Sequence, residues 1–233
     1  MNTITVGTAD LRQALTAVRA HVSADKEATE YHRIRLTIGD ENIAVTATDR
    51  FTGALAIVST WETDAEPGLI VELLPDDVTK MLAIFKAGKE IGDEPQFVIR
   101  LEIDEQHVTV TDCSGMIDGR ALRIPRLSTE DALTAVPVLI NKSHNGQSAL
   151  LIDMTINGDA LARFKVAGNA YGAPVTIEAR GDRRGLLIRC GESFLGLAMP
   201  RRLSEEDIVR AKEWAEGWDA RLSDIVAAAE ADE

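Results

Sequence analysis

The apolar positions of the chain change between two spacings, and the change recurs along its length. Apolar residues at every second position predict strands, whereas apolar residues three and four apart predict helices. The first stretch predicts a strand at Thr3–Gly7 and a helix with the apolar stripe Leu11, Leu15, Val18 and Val22. It continues with predicted strands at Ile34–Ile38, Ile43–Thr48 and Ala54–Val58. The order is therefore strand, helix and three strands.

The same order returns twice. In the second stretch, a proline in the first turn opens the helix, and the strands are Leu69–Leu73, Phe97–Ile103, His107–Thr111 and Arg120–Ile124. In the third, a helix bearing Leu161 and Phe164 lies among strands at Leu150–Met154, Val175–Ala179, Leu186–Cys190 and Phe194–Met199. The pattern predicts an α+β fold of repeated β-α-β-β-β half-units.

Two local matches support a true repeat. VTATD at Val45–Asp49 and VTVTD at Val108–Asp112 both end the second strand after a helix, and RIPRL at Arg123–Leu127 matches MPRRL at Met199–Leu203. The alternative is that any alternating α+β chain divides into similar thirds. Shared details at equivalent places favour repetition of one unit.

The repeat predicts four segments. Residues 1–126 form one domain of two half-units, 1–60 and 67–126; residues 127–148, with Pro137 and an Asn-Gly turn, form a linker; residues 149–203 form a third half-unit or a partial second domain. Residues 204–233 form an amphipathic helix with the stripe Ile208, Ala211, Ala215, Trp218, Leu222 and Ile225. That helix either packs on protein or controls access to a nearby site.

The charge of the chain is strongly acidic, but its cations are not scattered. A net charge of −13 argues against wholesale adhesion to nucleic acid, since such affinity comes from cationic groups replacing counterions on phosphate. A local basic face remains compatible with this sign. The predicted helices and their ends carry cations at Arg12, Arg19, Lys26, Lys80, Lys86, Lys89, Arg163 and Lys165. Either these are ordinary solvated charges, or three helices share a basic surface.

Catalytic chemistry has little support in the sequence. His107, Asp112 and Asp49 form no nucleophile–base arrangement, and the chain has no phosphate loop. The cysteines, Cys113 and Cys190, match no metal or redox spacing. We therefore expect no catalytic residues, no metal and no cofactor. Without a signal sequence or a membrane-length apolar run, we expect a cytoplasmic protein that does not bind membranes.

Two further motifs carry a family resemblance. ATDRFTGALA at Ala47–Ala56 looks like the ATDG-type segment of the bacterial β clamp, and AMPRRL at Ala198–Leu203 looks like the signature that ends its last domain. Residues 1–203 thus resemble DNA sliding clamps. The resemblance implies a sliding-clamp fold with helices on one face of antiparallel sheets. It also implies a ring that encircles double-stranded DNA, with those helical cations facing the phosphates, and that tethers a DNA polymerase. A clamp loader is an optional further partner.

The resemblance also implies a pocket for partner peptides. By matching position, its residues would be Thr48, Asp49, Arg50, Phe51, Leu197, Met199, Pro200, Arg202 and Leu203. Such a pocket would accept a short motif with aliphatic or aromatic anchors. The alternative is that Leu197 and Met199 are simply inward-facing strand residues.

The chain departs from the family in three ways, one of which is the amphipathic helix at residues 204–233. The turn at Arg50–Gly53 replaces a shorter one, and three half-units stand where the bacterial clamp has six. An odd half-unit leaves a sheet edge unpaired, so we expect self-association into a trimeric or tetrameric ring. The competing hypothesis is a non-encircling decoy or adaptor that occupies clamp-binding proteins. The small size suggests a phage or mobile-element origin.

Overall fold

The structure, a computed structural model, describes residues 2–88, 95–150, 154–180 and 185–231. They divide into two compact units, the first comprising residues 1–152 and 156–200 and the second 153–155 and 201–233. The predicted cation Lys89 lies outside the described residues, as does the centre of the predicted strand Leu150–Met154.

The first unit begins with two consecutive β-α-β-β-β half-units. The first half-unit comprises β1 (Asn2–Gly7), α1 (Thr8–Arg19), β2 (Ile34–Ile38), β3 (Asn42–Thr48) and β4 (Thr52–Thr63). The second comprises β5 (Ile70–Leu73), α2 (Pro75–Ile84), β6 (Val98–Ile103), β7 (His107–Asp112) and β8 (Ala121–Pro125). Proline begins α2 as predicted, because its missing N–H costs nothing in a first turn.

These two half-units complete each other reciprocally. Strand β1 pairs antiparallel with β6, and β5 pairs antiparallel with β2. The helices are also antiparallel: Arg12, early in α1, donates to the carbonyls of Leu82 and Phe85 at the end of α2, while Arg19 at the end of α1 donates to Thr79. The exchange of strands and the antiparallel helices relate the half-units by an approximate two-fold axis.

A third half-unit follows in the same order and joins the first. It contains α4 (Gly158–Tyr171), β9 (Val175–Ala179), β10 (Leu186–Cys190) and β11 (Phe194–Ala198). Strand β11 pairs antiparallel with the first part of β4, whose distant end pairs with β1. The closing strands of the first and third half-units therefore meet in one continuous sheet.

The segment between the second and third half-units packs on this sheet. It holds a short 3-10 helix (Asp131–Thr134) and α3 (Ala135–His144). Their buried residues Leu133, Val136 and Ile140 form a cluster with strand residues Leu55, Leu187, Leu195 and Leu197. Since successive strand residues point to opposite faces, and Gly196 faces Phe164 of α4, α3 lies on the face opposite to α4.

Buried charges anchor this segment to the first half-unit. Arg33 Nη1 lies 2.6 Å from Glu72 Oε2, and Arg35 Nη2 lies 2.7 Å from Glu72 Oε1. The same guanidinium groups donate to Ser128 O at 2.7 Å and to Thr134 Oγ1 at 2.8 Å. One carboxylate thus holds two arginines that fasten the chain leading into α3.

The second unit consists mainly of one long helix, α5 (Glu205–Ala231). Ser204 caps it, with its Oγ accepting from the backbone N of Asp207 at 3.1 Å. Bonds with Ser204 lower the pKa of Asp207. Large apolar side chains remain exposed along the helix, at Ile208, Val209, Trp214, Trp218, Leu222, Ile225 and Val226.

Candidate nucleic-acid interface and peptide pocket

The helices of the three half-units lie side by side on one face of the first unit. Helix α1 is central, with α4 packed on one side and α2 on the other. Just after α1, the imidazole of His21 packs against the tilted ring of Phe164 on α4, with 4.6 Å between the ring centroids. Because α4, α1 and α2 lie side by side, the predicted cations that they carry belong to one layer of helices.

The predicted arginines are engaged within the chain. Arg12 and Arg19 link α1 to α2 through the bonds described above. Arg163 on α4 lies 3.0 Å from Asp49 through Nη2, and its Nη1 donates to Val22 O at 3.5 Å. These guanidinium groups therefore hold the layer together, which the charge pattern alone did not predict.

The described lysines of the predicted set are exposed. Lys26 Nζ lies 3.9 Å from Asp76, and Lys80 Nζ lies 2.8 Å from Asp77, whose hydrogen bond raises the pKa of Lys80. The Lys26–Asp76 pair is solvated at both ends and contributes little to stability, whereas the Asp77 side chain that binds Lys80 is buried. Lys86 and Lys165 are likewise exposed. Lysines rather than arginines are thus the cations available to a ligand on this surface.

The turn that carries the ATDR motif is tightly hydrogen-bonded. Asp49 Oδ1 accepts from the backbone N of Phe51 at 3.1 Å and of Thr52 at 2.6 Å, while Thr48 Oγ1 accepts from Arg50 N at 3.0 Å. Arg50 adopts a left-handed conformation, with φ 79°, which favours glycine. Because the other carboxylate oxygen of Asp49 contacts Arg163, one side chain connects the turn to the helical layer.

The remaining predicted pocket residues, beyond Asp49 and Arg50 of the turn, differ in burial and in the unit to which they belong. Phe51 and Met199 are neighbours, with Met199 N donating to Phe51 O at 2.8 Å, and their side chains are 67% and 48% exposed. Leu197 is instead packed against the α3 cluster, as in the alternative that made it an inward-facing residue. Arg202 and Leu203 belong to the second unit. Thr48 is buried, and Pro200 is partly buried.

Sequence reasoning missed a buried histidine between the helices. His21 is fully buried, and neither ring nitrogen has a hydrogen-bond partner. Burial, and secondarily the charge of Arg163, lowers the pKa of His21 to about 3. The imidazole is therefore neutral and acts as a packing group. Its position three residues after Val18 and next to Val22, within the apolar helical stripe, was the only signal in the sequence.

Two negative findings concern the described residues alone. Within them, no cluster of three His, Cys, Asp or Glu side chains has the arrangement needed to hold a metal ion. None of their helices has both the length and the hydrophobicity needed to cross a bilayer.

Comparison with known proteins identifies the architecture. No protein-family model matches the chain, and no curated protein matches its sequence. Among solved structures, the DNA polymerase III beta subunit of Thermotoga maritima superposes with a TM-score of 0.62 at 13% identity, covering 88% of this chain and 66% of that one. The chain has the fold of bacterial sliding clamps. The DNA polymerase sliding clamp of Bacillus subtilis gives 0.60 at 14% identity, over 87% of this chain and 64% of that one.

The sliding-clamp likeness confirms the predicted fold and its repeated half-units. The sliding clamp of Pseudomonas aeruginosa agrees, with a TM-score of 0.59 at 11% identity, covering 91% of this chain and 67% of that one. The chain spans about 66% of the length of the first of these relatives.

Proposed function

We propose that this chain is a DNA polymerase processivity factor, without enzymatic activity, that acts in the cytoplasm. Chains associate into a trimeric or tetrameric ring that encircles duplex DNA without sequence preference. The observation that carries the proposal is the continuous layer of α4, α1 and α2, on a sliding-clamp fold, with exposed lysines.

The helical layer is suited to a phosphate backbone because its lysines are positively charged and have long, flexible side chains. Lysine ammonium groups on flexible stems accommodate a regular backbone and carry no base preference. The chain is otherwise acidic, with 38 acids against 25 basic residues. An acidic exterior discourages adhesion elsewhere, so the proposal reconciles a strongly negative protein with a DNA function.

Polymerase tethering is assigned to the surface around Phe51 and Met199. Two large apolar side chains exposed side by side are suited to anchoring a short peptide. The turn beneath them is held by Asp49, which presents the anchors from a fixed backbone. Leu197 is excluded from this assignment because α3 already packs against it.

Charge reversal tests the DNA surface. Changing Lys26, Lys86 and Lys165 together to glutamate should abolish retention on DNA while preserving the fold, since these side chains are solvated. Lys80 is left unchanged because it pairs with the buried Asp77. The matched control reverses three exposed cations outside the helical layer, Arg120, Lys142 and Lys212, and so makes the same change in net charge. Arg12 and Arg163 are left unchanged because both bind other parts of the chain. Equal loss of DNA retention in both variants would refute the assignment.

Peptide binding tests the tether. The probe is a fluorescent peptide with leucine and phenylalanine anchors, whose anisotropy is measured on addition of the full chain. The double change Phe51→Ser and Met199→Ser should remove binding, whereas Val138→Ser, at an exposed apolar position on α3, should not. Unchanged binding in the double variant would place the tether elsewhere.

Sedimentation separates the ring from the competing decoy or adaptor. A ring requires several chains in one particle at the concentrations that support DNA retention. A single chain under those conditions, with peptide binding intact, would favour the decoy.

A further inference from the structure

The third half-unit has an open side. Helix α4 and strands β9 and β10 border a groove of about 500 Å³, lined in part by Leu161, Phe164, Lys165, Val175, Ile177 and Ile188. Leu161, Val175 and Ile177 remain exposed. Among the described residues, β9 pairs with β10 on one edge, and only an isolated bridge from Ser148 to Arg180 lies at the end of the other.

The first domain shows how this fold fills such a side. There β2, the strand after the helix, receives β5 along its free edge, and α1 receives α2. In this arrangement Ile34, Leu36 and Ile38 of β2 are buried. Val175 and Ile177 hold the same kind of position on β9, facing the helix, but stay exposed. Within residues 154–180 and 185–200, the third half-unit thus shows no complement of the kind that the first half-unit has.

We infer that the groove between α4 and β9 is filled by the same groove of a second copy of this chain, related by an exact two-fold axis. The complement that the fold uses is another half-unit, placed by the approximate two-fold axis of the first domain. The third half-units of two copies can pair in that arrangement, because each copy then supplies the half-unit that the other lacks. An interface of this kind is isologous, so it closes on itself as a dimer.

The antiparallel contact of α1 and α2 predicts the geometry at this axis. Arg12 and Arg19 reach α2 in reverse order along its length, so the two copies of α4 should also lie antiparallel. Lys165 lines the groove and stands at the middle of α4, Gly158–Tyr171. The middle of an antiparallel helix pair is where identical residues meet, so Lys165 should lie close to the partner's Lys165.

This dimer also suggests how a ring closes. It joins six half-units in a row and leaves β8 at both ends, and β8 pairs with β7 alone among the described strands. Closing strands already meet antiparallel at β4 and β11, so β8 from two dimers can meet in the same way. Four chains would then provide twelve half-units. This consequence rests on the proposed function, whereas the dimer itself is argued from α4 and β9.

Sedimentation equilibrium of the full chain, without DNA, tests the interface. The chain should have twice or four times the mass of a single chain, and Ile177→Glu should weaken dimerisation by at least about tenfold, because it would bury a charge without a partner. Val138→Glu, at an exposed apolar residue outside the groove, is the matched control. A single chain in all three proteins, or a dimer that Ile177→Glu leaves intact with its circular dichroism spectrum, would overturn the inference.

Cysteine cross-linking tests the symmetry without depending on a destabilising change. Lys165→Cys, in a Cys113→Ser background, should form a disulfide-linked dimer on mild oxidation, and Ile177→Glu should abolish it. Absence of the cross-link in a chain that sediments as a dimer would overturn the two-fold axis. A natural chain that sediments as a dimer or tetramer but is not retained on DNA would refute the proposed function alone, while a trimer that is retained on DNA would refute the dimer alone.

Discussion

Lowering the pH is predicted to destabilise the fold through His21, which is buried against Phe164 at the contact of the first and third half-units. The perturbation is a drop from pH 7 to pH 4.5, compared between the natural chain and His21→Leu. Leucine fills a similar volume and needs no hydrogen bond, so the variant removes the titrating group and retains the packing.

The sign follows from the two pKa values of His21. In the unfolded chain the imidazole takes up a proton as the pH falls below 6.5, whereas in the folded chain its pKa is lowered to about 3 by burial. Between these values only the unfolded state gains a proton, so stability present above pH 6.5 is lost on acidification. The linkage relation gives a loss of about 2.5 kcal/mol for this single group between pH 7 and pH 4.5.

Urea denaturation at the two pH values measures this loss. Carboxylates titrate in both proteins, so the difference between their pH dependences isolates His21. We expect the natural chain to lose about 2.5 kcal/mol more than His21→Leu. Equal pH dependence would show that His21 is solvated or hydrogen-bonded, and would refute the packing described for this contact.

Further substitutions test the turn, the helix contact and the buried charges, each by urea denaturation at pH 7. Arg50→Gly should be more stable than Arg50→Ala by about 1 kcal/mol, because both lose the contact with the Tyr31 ring at 4.9 Å and only glycine relieves the left-handed backbone. Equal stability would contradict strain there. Gly196→Ala should cost about 1–3 kcal/mol, since its Cβ would lie 2.4 Å from the Phe164 ring; a neutral effect would show that α4 is not seated on β11. Glu72→Gln should cost about 3 kcal/mol or more, because it leaves two buried guanidinium groups without their anion, and a change below about 1 kcal/mol would show that backbone carbonyls suffice.

The repeat was predictable because each half-unit changes its apolar period in the same order. VTATD and VTVTD lie in β3 and β7, which occupy equivalent places in the first two half-units. The local spacing of apolar residues and the residues of the adjacent turns determine where such strands begin and end. The joining of β4 to β11 was not predictable in this way, since pairing between strands distant in sequence leaves no periodic signal.

The charge pattern predicted which helices carry the candidate cations, but it did not predict the contacts that those cations make within the chain. A charge pattern places Arg12 and Arg163 on helices, yet it does not show that one binds the end of α2 and the other binds Asp49. Likewise, Pro137 and the Asn-Gly turn indicated a break in structure. Leu133, Val136 and Ile140 have helical spacing, but their burial depends on a sheet assembled from the first and third half-units.

Topological retention on DNA tests the central claim most directly. Separated chains are reassembled in the presence of nicked circular duplex DNA, free protein is removed by gel filtration, and half of the sample is linearised with a restriction enzyme. A ring that encircles DNA should stay on the circles and slide off the linear molecules. Equal retention on circular and linear DNA, or no retention on either after reassembly, would contradict the proposal.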